Sequence, residues 1–285
     1  MSRVVFVHGV AQQYRGPHTL WSTCAPALAD GVSLAGGHLP TSDIAVAFYG
    51  DLFRPPGSRT TTLPDYDVTD LDHPLELALL QAWWQHAAQL EPSVPGPEDR
   101  TRARTPQWAQ RALYALSKSR YFAGLADRVL IGNLKQITAY LTNPAVRQAV
   151  QARVREAIGP DTSVLVGHSL GTVVGYELLC SQPTPSIAGF VTLGSPLGIP
   201  NLIFDRLTPP PANGHGTWPP GIQRWTNIAD HADVVALAKN LAPLFGNRLI
   251  DITVHNGATA HDAAPYLTAR ETGHATRASL TATGR

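Results

Sequence analysis

The chain has 285 residues, of which 44% are hydrophobic and only 15% charged, and this composition is that of a globular rather than a disordered protein. The length is sufficient for a substantial hydrophobic core. The formal net charge of +1 creates no general field that would attract nucleic acid or an anionic membrane. We therefore expect a folded protein without a nucleic-acid partner.

The N-terminal sequence "MSRVVFVHGV" lacks the long apolar stretch and the small-residue cleavage site of a secretory signal. No later window approaches membrane-spanning length. A cytoplasmic location without a membrane span is therefore expected. Cys24 and Cys180 are too few for a disulfide framework and do not have metal-ligand spacing, so both are expected to be buried free thiols.

Short apolar, β-branched segments alternate with helical patterns in two parts of the chain. The predicted strands are 4–7, 42–50, 163–167, 187–195, 222–228 and 248–254. The predicted helices around them are 19–29, about 170–181, 234–241 and 263–270. This alternation predicts an α/β fold, with a mostly parallel sheet covered by helices on both faces and a ligand site at the carboxyl ends of the strands.

The alternation is interrupted by a helical block over about 51–158. One helix is predicted at 73–90, and two or three more follow a polar, Pro-containing linker, the last with Asn143 as N-cap and Pro144 at its first position. We expect this block to be an insertion over or beside the sheet. The small, polar residues of the tail, 273–285, predict a frayed end.

The segment "VLVGHSLG" places Ser169 between Gly167 and Gly171 where a predicted strand meets a predicted helix. A tight turn of this kind can expose a Ser hydroxyl as a nucleophile, and the flanking glycines leave room for neighbouring backbone. The following helix directs its N-terminal amides to the same place, where they favour negative charge. The alternative is a Gly-rich strand-to-helix turn without chemistry.

A second motif, "FVHGV", ends the first strand in His8 and Gly9. In a serine hydrolase the loop after such a strand donates a backbone N–H to the oxyanion, here from Val10, and the residue after the nucleophile, Leu170, donates another. His8 is interpreted either as a structural residue of this loop or as a substrate contact, and not as the catalytic base.

Together with "VTLGSPLG", these motifs resemble the α/β-hydrolase superfamily, in particular the esterase and lipase-like branches with a single "HG-x" oxyanion loop. The motif positions are His8, Gly9, Gly167, His168 and Gly171. The resemblance covers 1–50 and 161–270, which would form the core of a single domain over 1–285, with the helical insertion as a cap. The chain would begin on the third strand of that family's sheet.

The resemblance implies the order Ser, acid, His, so both partners of Ser169 lie after it. For the acid we favour Asp233, which precedes Val-Val as in many lipases, over Asp230. The alternative roles are an N-cap of the helix 234–241 for Asp233 and a turn former for Asp230.

Three histidines follow the acid: His255, His261 and His274. His255 lies where the last strand ends, and His274 falls in the tail. His261 lies in the loop between the last strand and the last helix, where the catalytic His of the resembled family occurs. It is therefore the predicted base, and a solvated loop side chain is the alternative.

The resemblance implies a small-molecule substrate with an acyl group. The aromatic residues of the insertion suggest an apolar moiety in it, although such residues are mostly core: Trp83, Trp84, Trp108, Tyr114, Tyr121 and Phe122. Three functions remain open: a carboxylic ester, lactone or thioester hydrolase, an acyltransferase or cyclising enzyme with the same triad, and a binding protein on this scaffold. Without a nucleotide-binding glycine fingerprint, an H-E-x-x-H motif or a Cys cluster, no cofactor is expected.

Overall fold

The computed structural model describes residues 3–54, 64–97, 105–119, 122, 126–181, 186–257 and 260–282. Within these ranges six strands form one sheet: β1 (Val4–Val7), β2 (Ile44–Ala47), β3 (Val164–His168), β4 (Gly189–Leu193), β5 (Arg224–Asp230) and β6 (Ile250–Val254). Their order is β2-β1-β3-β4-β5-β6, and every neighbouring pair is parallel. All carboxyl ends therefore lie at one edge of the sheet.

Helices cover both faces of this sheet. The described ones are α1 (Pro17–Leu34), α2 (Pro74–Leu90), α3 (Thr105–Lys118), α4 (Asp127–Thr142), α5 (Pro144–Ala157), α6 (Leu170–Ser181), α7 (Ala242–Phe245), α8 (Ala263–Thr268) and α9 (Arg270–Ala282). Successive residues of a strand point to opposite faces, so Val4 and Phe6 pack with α1, α8 and α9, whereas Val5 and Val7 pack on the side of α2 to α6. The predicted α/β class is confirmed.

The helical block between β2 and β3 divides into two parts. Helix α2 packs with α3 and with α4, while α5 packs on α4 and also directly on β2 and α6. The predicted cap of α5 is present: Asn143 Oδ1 accepts hydrogen bonds from the N–H groups of Ala145 at 3.0 Å and Val146 at 3.4 Å. Helix α5 is thus part of the layer on the sheet, whereas α2 and α4 reach the cavity at the strand ends.

The expectation of a frayed tail over 273–285 is wrong for its described part, because α9 continues to Ala282 and packs along α1. A side chain at Gly273 would approach the carbonyl oxygen of Gly31 to 1.9 Å, so the two glycines allow close backbone contact. The hydroxyl of Ser279 is satisfied inside the helix by the Ala275 carbonyl at 2.9 Å. Small and polar residues here serve close packing rather than solvation.

The predicted helix over 234–241 is also wrong, since this segment is an irregular loop. Side chains of the strands satisfy its backbone in place of helical hydrogen bonds. Asn227 Nδ2 donates to the Lys239 carbonyl at 2.9 Å, and Asp251 Oδ1 accepts from the Leu241 N–H at 2.9 Å. The loop is therefore fastened to β5 and β6, which gives Asp233 a fixed position beside the sheet.

Both cysteines are free thiols, as expected, but only Cys24 is buried, while Cys180 is half-buried. Cys24 packs among the residues under α1, whereas Cys180 packs on the opposite face of the sheet. In the part of the chain that the structure describes, no helix has both the length and the apolar character needed to cross a membrane.

Candidate active site

Ser169 occupies the turn between β3 and α6 in a left-handed backbone conformation, with φ of 52°. This region is unfavourable for a residue with a side chain and is often found at functional sites. Hydrogen bonds hold the turn on both sides: the Ser169 N–H donates to the Leu193 carbonyl at 3.0 Å, and its own carbonyl accepts from the Thr172 N–H at 2.9 Å. The fold therefore presents this hydroxyl in a defined direction.

The glycines around Ser169 are required by close backbone approaches. A Cβ at Gly171 would lie 2.2 Å from the Val7 carbonyl oxygen, and one at Gly167 would lie 2.8 Å from the Gly171 carbonyl oxygen. A Cβ at Gly9 would lie 2.8 Å from the Ser169 Cβ. Distances below 3.0 Å are not tolerated by backbone atoms, so these motif positions admit only glycine.

Three side chains that are far apart in sequence form a continuous hydrogen-bonded chain. His261 Nε2 lies 3.0 Å from Ser169 Oγ, and His261 Nδ1 lies 2.8 Å from Asp233 Oδ2. Because a carboxylate accepts hydrogen bonds, Nδ1 carries the imidazole proton and Nε2 is free to accept the hydroxyl proton of Ser169. The structure thus brings together the three residues that the sequence analysis selected.

The Asp233 carboxylate is fully buried and fully hydrogen-bonded. Its Oδ1 accepts from the N–H groups of Val235 at 2.9 Å and Ala236 at 3.1 Å. Burial acts to raise the pKa of Asp233, but the charge and hydrogen bond of His261, the Lys239 ammonium and the Ala236 N–H outweigh it and lower the pKa to about 2. The carboxylate therefore stays ionised and able to stabilise a positive imidazole.

Tyr266, which the sequence analysis did not select, contacts the same carboxylate. Its hydroxyl donates to Asp233 Oδ2 at 2.9 Å and accepts from the Asp230 N–H at 2.7 Å. Burial, and then the nearby Asp233 charge, raise the pKa of Tyr266, so the hydroxyl remains a donor. Its only signal in the sequence was its place in the last predicted helix, and that signal does not identify a contact to a residue 33 positions away.

His168 positions the loop of the candidate base. Its Nε2 donates to the His261 backbone carbonyl at 2.8 Å, and the two rings lie 5.0 Å apart. Burial, followed by the proximity of His261, lowers the pKa of His168 to about 3, so its ring is neutral. This motif residue therefore acts on His261 through the backbone and not through charge.

His8 holds the loop after β1 through both ring nitrogens, and it also lines the cavity that contains Ser169. Nδ1 donates to the Gly9 carbonyl at 2.7 Å, and Nε2 accepts from the Tyr49 N–H at 3.1 Å. The ring also stacks on Tyr49 with 4.0 Å between centroids. Burial lowers the pKa of His8 to about 4, against the effects of the Gly9 hydrogen bond and of Asp51. His8 thus shapes the loop that carries Val10.

The two residues predicted to carry oxyanion donors are Leu170, which follows Ser169 in the chain, and Val10, which lines the cavity with it. Leu170 is the first residue of α6, where N–H groups have no partner from within the helix. Val10 lines the same cavity as Ser169 and His261 and precedes Ala11, which has a positive φ of 65°. The helix end and the turned loop therefore both contribute to the environment of the hydroxyl.

Gly194, in the "VTLGSPLG" segment, lies next to the hydrogen bond between Asp233 and His261. Its φ is 53°, and a Cβ there would lie 2.9 Å from Asp233 Oδ2 and 3.3 Å from His261 Nδ1. A side chain at this position would therefore disturb the hydrogen bond between the two residues.

Within the described residues, the side chains of the alternative acid and bases make no hydrogen bond to the side chains of Ser169, Asp233 or His261, although the Asp230 carbonyl accepts from the Asp233 N–H at 3.2 Å. Asp230 Oδ1 accepts from the Ala232 N–H at 2.7 Å, as a turn former does. His255 is exposed at the end of β6, and His274 is exposed on α9.

A cavity of about 220 Å³ opens onto Ser169 and His261. The insertion supplies much of its wall, and these residues are mostly apolar: Trp83, Phe122, Val129, Leu130, Asn133 and Ile137. Tyr121, also expected there, lies outside the described residues. The other insertion aromatics, Trp84, Trp108 and Tyr114, line a separate depression between α2 and α3. An apolar group can therefore be held beside the Ser169 hydroxyl.

For the ester cleavage that the sequence predicts, Tyr266→Phe should lower kcat by about tenfold, because the Asp233 carboxylate loses one hydrogen bond, worth about 1.4 kcal/mol. The free energy of unfolding should also fall by about 1 to 3 kcal/mol, because the buried Asp230 N–H loses its acceptor. Tyr140→Phe is the matched control, since Tyr140 also donates to a buried carboxylate, Glu177, at 2.7 Å, outside the cavity. Equal kcat in the two variants, measured at equal folded fractions, would contradict the role given to Tyr266.

A scan against protein-family models gave no match to this chain, and a search of curated proteins found no similar sequence.

Proposed function

We propose that the protein is a serine hydrolase that cleaves a carboxylic ester, lactone or thioester through an acyl-enzyme. The observation that carries the proposal is the chain of hydrogen bonds from Ser169 Oγ through His261 to Asp233, with distances of 3.0 and 2.8 Å. This is the arrangement in which a weak hydroxyl nucleophile is activated by a base and the base is oriented by a carboxylate.

In the proposed reaction Ser169 Oγ attacks the acyl carbonyl carbon while its proton passes to His261 Nε2. Asp233 stabilises the resulting imidazolium. The tetrahedral intermediate collapses, the bond to the leaving group breaks, and His261 returns the proton to that group. Water then loses a proton to His261 and attacks the acyl-enzyme, and Ser169 regains its proton as the acid leaves.

The N–H groups of Val10 and Leu170 are the proposed oxyanion donors. In this role they would stabilise negative charge that exists only in the tetrahedral intermediate, and the α6 N-terminus would add to the effect. The loss of one such donor costs about 3 to 4 kcal/mol of transition-state stabilisation in comparable sites. The close approach of Gly9 to Ser169 supports the assignment, since it keeps the Val10 loop next to the nucleophile.

We further propose that the sheet and its covering helices are an α/β-hydrolase arrangement, with α2 to α4 as a cap. The parallel sheet, the nucleophile at the turn after β3, and an acid after β5 and a base after β6 support this. The apolar wall supplied by Trp83, Phe122 and Ile137 supports a substrate with an apolar acyl or leaving group.

The proposal is tested by stopped-flow hydrolysis of p-nitrophenyl esters. The wild type should release a burst of one nitrophenol per protein before steady turnover, because an activated ester acylates the protein faster than water removes the acyl group, so the acyl-enzyme accumulates. Ser169→Ala should give neither burst nor turnover above background. Ser181→Ala, at the other end of α6 and bonded to the Leu178 carbonyl, should behave as wild type. A normal burst from Ser169→Ala would refute the function.

Product analysis in the presence of a competing alcohol separates hydrolysis from acyl transfer. The free acid should remain the main product, in keeping with a cavity that opens onto Ser169 from solvent. A large excess of the new ester over the acid would instead assign the protein as an acyltransferase with the same three residues.

A further inference from the structure

A second group of chemically reactive side chains lies at the carboxyl ends of β5 and β6. The register of these neighbouring strands pairs Asp230 with Val254, so the next residues, His231 and His255, leave the sheet side by side. Their rings lie 5.0 Å apart. None of these side chains belongs to the hydrogen-bonded chain of Ser169.

The three side chains converge on one small volume. One ligand atom from each of Asp230, His231 and His255 lies within 4.8 Å of the other two, and Asp230 Oδ1 is 3.6 Å from His231 Nδ1. The two imidazoles are exposed and can rotate, whereas the carboxylate is fully buried. Because the carboxylate is fixed and the two imidazoles can rotate, small side-chain movements can bring the three ligand atoms to the shorter separations found around a bound metal ion.

Backbone hydrogen bonds hold the carboxylate of Asp230 in place and leave each of its oxygens able to accept a further partner. Each oxygen accepts one backbone hydrogen bond, Oδ1 from Ala232 and Oδ2 from Asn256. A carboxylate oxygen has two lone pairs, so each retains one for a further partner. The oxygen Oδ1 faces His231, and it is the one available to an ion between the three side chains.

The donor set indicates the class of ion. Two imidazole nitrogens and one carboxylate oxygen suit Zn²⁺ and its transition-metal neighbours, whereas Ca²⁺ and Mg²⁺ prefer oxygen ligands alone. The open depression around His231 and His255 is also lined by Glu271, which offers another carboxylate, and it leaves space for water. Water in this depression could supply a fourth ligand.

We propose that Asp230, His231 and His255 bind a divalent transition-metal ion of the zinc type. Such an ion would join the segment that follows β5, which carries Asp233, to the segment that follows β6, which carries His261. The site thus connects the loop of the candidate acid with the loop of the candidate base. Because the ion would bind the folded state, it would stabilise the folded protein.

The test is a titration of the metal-free protein with Co²⁺, whose visible absorption reports nitrogen and oxygen ligands at a low coordination number. The wild type should bind one equivalent, with a rise in the melting temperature. His231→Ala and His255→Ala should each weaken binding by about 100-fold, since the loss of a ligand has at least the effect of the loss of an outer contact. Both changes are at exposed side chains, so the fold should be retained. His38→Ala, an exposed histidine elsewhere, should bind as wild type.

The proposal is overturned if the wild type takes up no Co²⁺, or if the double variant His231→Ala/His255→Ala binds it as tightly as the wild type. Competition by Zn²⁺ should displace Co²⁺ from the same site in the wild type, and failure of Zn²⁺ to do so would also contradict it. Because the titration uses neither substrate nor Ser169, its outcome is independent of the proposed hydrolase activity.

Discussion

His261→Ala is expected to lower kcat for ester hydrolysis by about 10⁶-fold, because the residues of such a triad act as a unit and removal of the base leaves the Ser hydroxyl inactive. The physical basis is that His261 Nε2, 3.0 Å from Ser169 Oγ, is the atom of this hydrogen-bonded chain that accepts the hydroxyl proton. Steady-state kinetics with an activated ester measures the effect. KM should change far less than kcat, since the imidazole acts in the transition state.

The matched controls are the two other histidines that follow the acid. His255→Ala and His274→Ala alter exposed side chains outside the hydrogen bonds of the triad. Assayed with a chelator present, both should retain wild-type kcat. If His255→Ala were inactive and His261→Ala remained active, the base would lie at the end of β6.

Asp233→Asn is expected to lower kcat by about 10⁴-fold, because it would stabilise the tautomer of His261 that cannot accept the Ser169 proton. An asparagine amide in place of Oδ2 would donate to His261 Nδ1, which would move the imidazole proton to Nε2 and leave no acceptor for Ser169. Because the pKa of Asp233 is lowered to about 2, the wild-type carboxylate stays charged throughout the neutral range. The defect should therefore persist from about pH 6 to about pH 9, where the carboxylate is ionised.

Asp230→Asn distinguishes this catalytic effect from a structural one. Asp230 accepts the backbone N–H groups of Ala232 and Asn256, so its substitution should lower the melting temperature. In chelator, kcat should remain near the wild-type value. If Asp230→Asn gives the larger loss of kcat, the assignment of the acid to Asp233 is incorrect.

The parts that the sequence predicted well are those specified by local patterns. The apolar strands, the cap at Asn143 and the turn at Ser169 each depend on residues within a few positions of one another. The chain of bonds from Ser169 to His261 and Asp233 spans 92 and 28 positions. Its members were selected through the resemblance to a family with the order Ser, acid, His, and not from a local pattern. In the folded chain the parallel sheet gathers the ends of its strands at one edge.

The parts that the sequence predicted poorly depend on contacts between distant segments. Composition suggested a frayed tail, yet Gly273 packs on Gly31, and no local pattern reports that pairing. The segment 234–241 has helical spacing but is held as a loop by Asn227 and Asp251. Tyr266 was missed for the same reason: its role follows from a contact to Asp233 and not from its neighbours in sequence.

The most direct test of a nucleophilic Ser169 is the site of covalent labelling by a fluorophosphonate, which mimics the tetrahedral intermediate and reacts with an activated serine. Intact-protein mass spectrometry of the wild type should show one adduct, peptide mapping should place it on Ser169, and Ser169→Ala should remain unlabelled while melting as a folded protein. An unlabelled wild type, or an adduct that maps to another residue and persists in Ser169→Ala, would contradict the account.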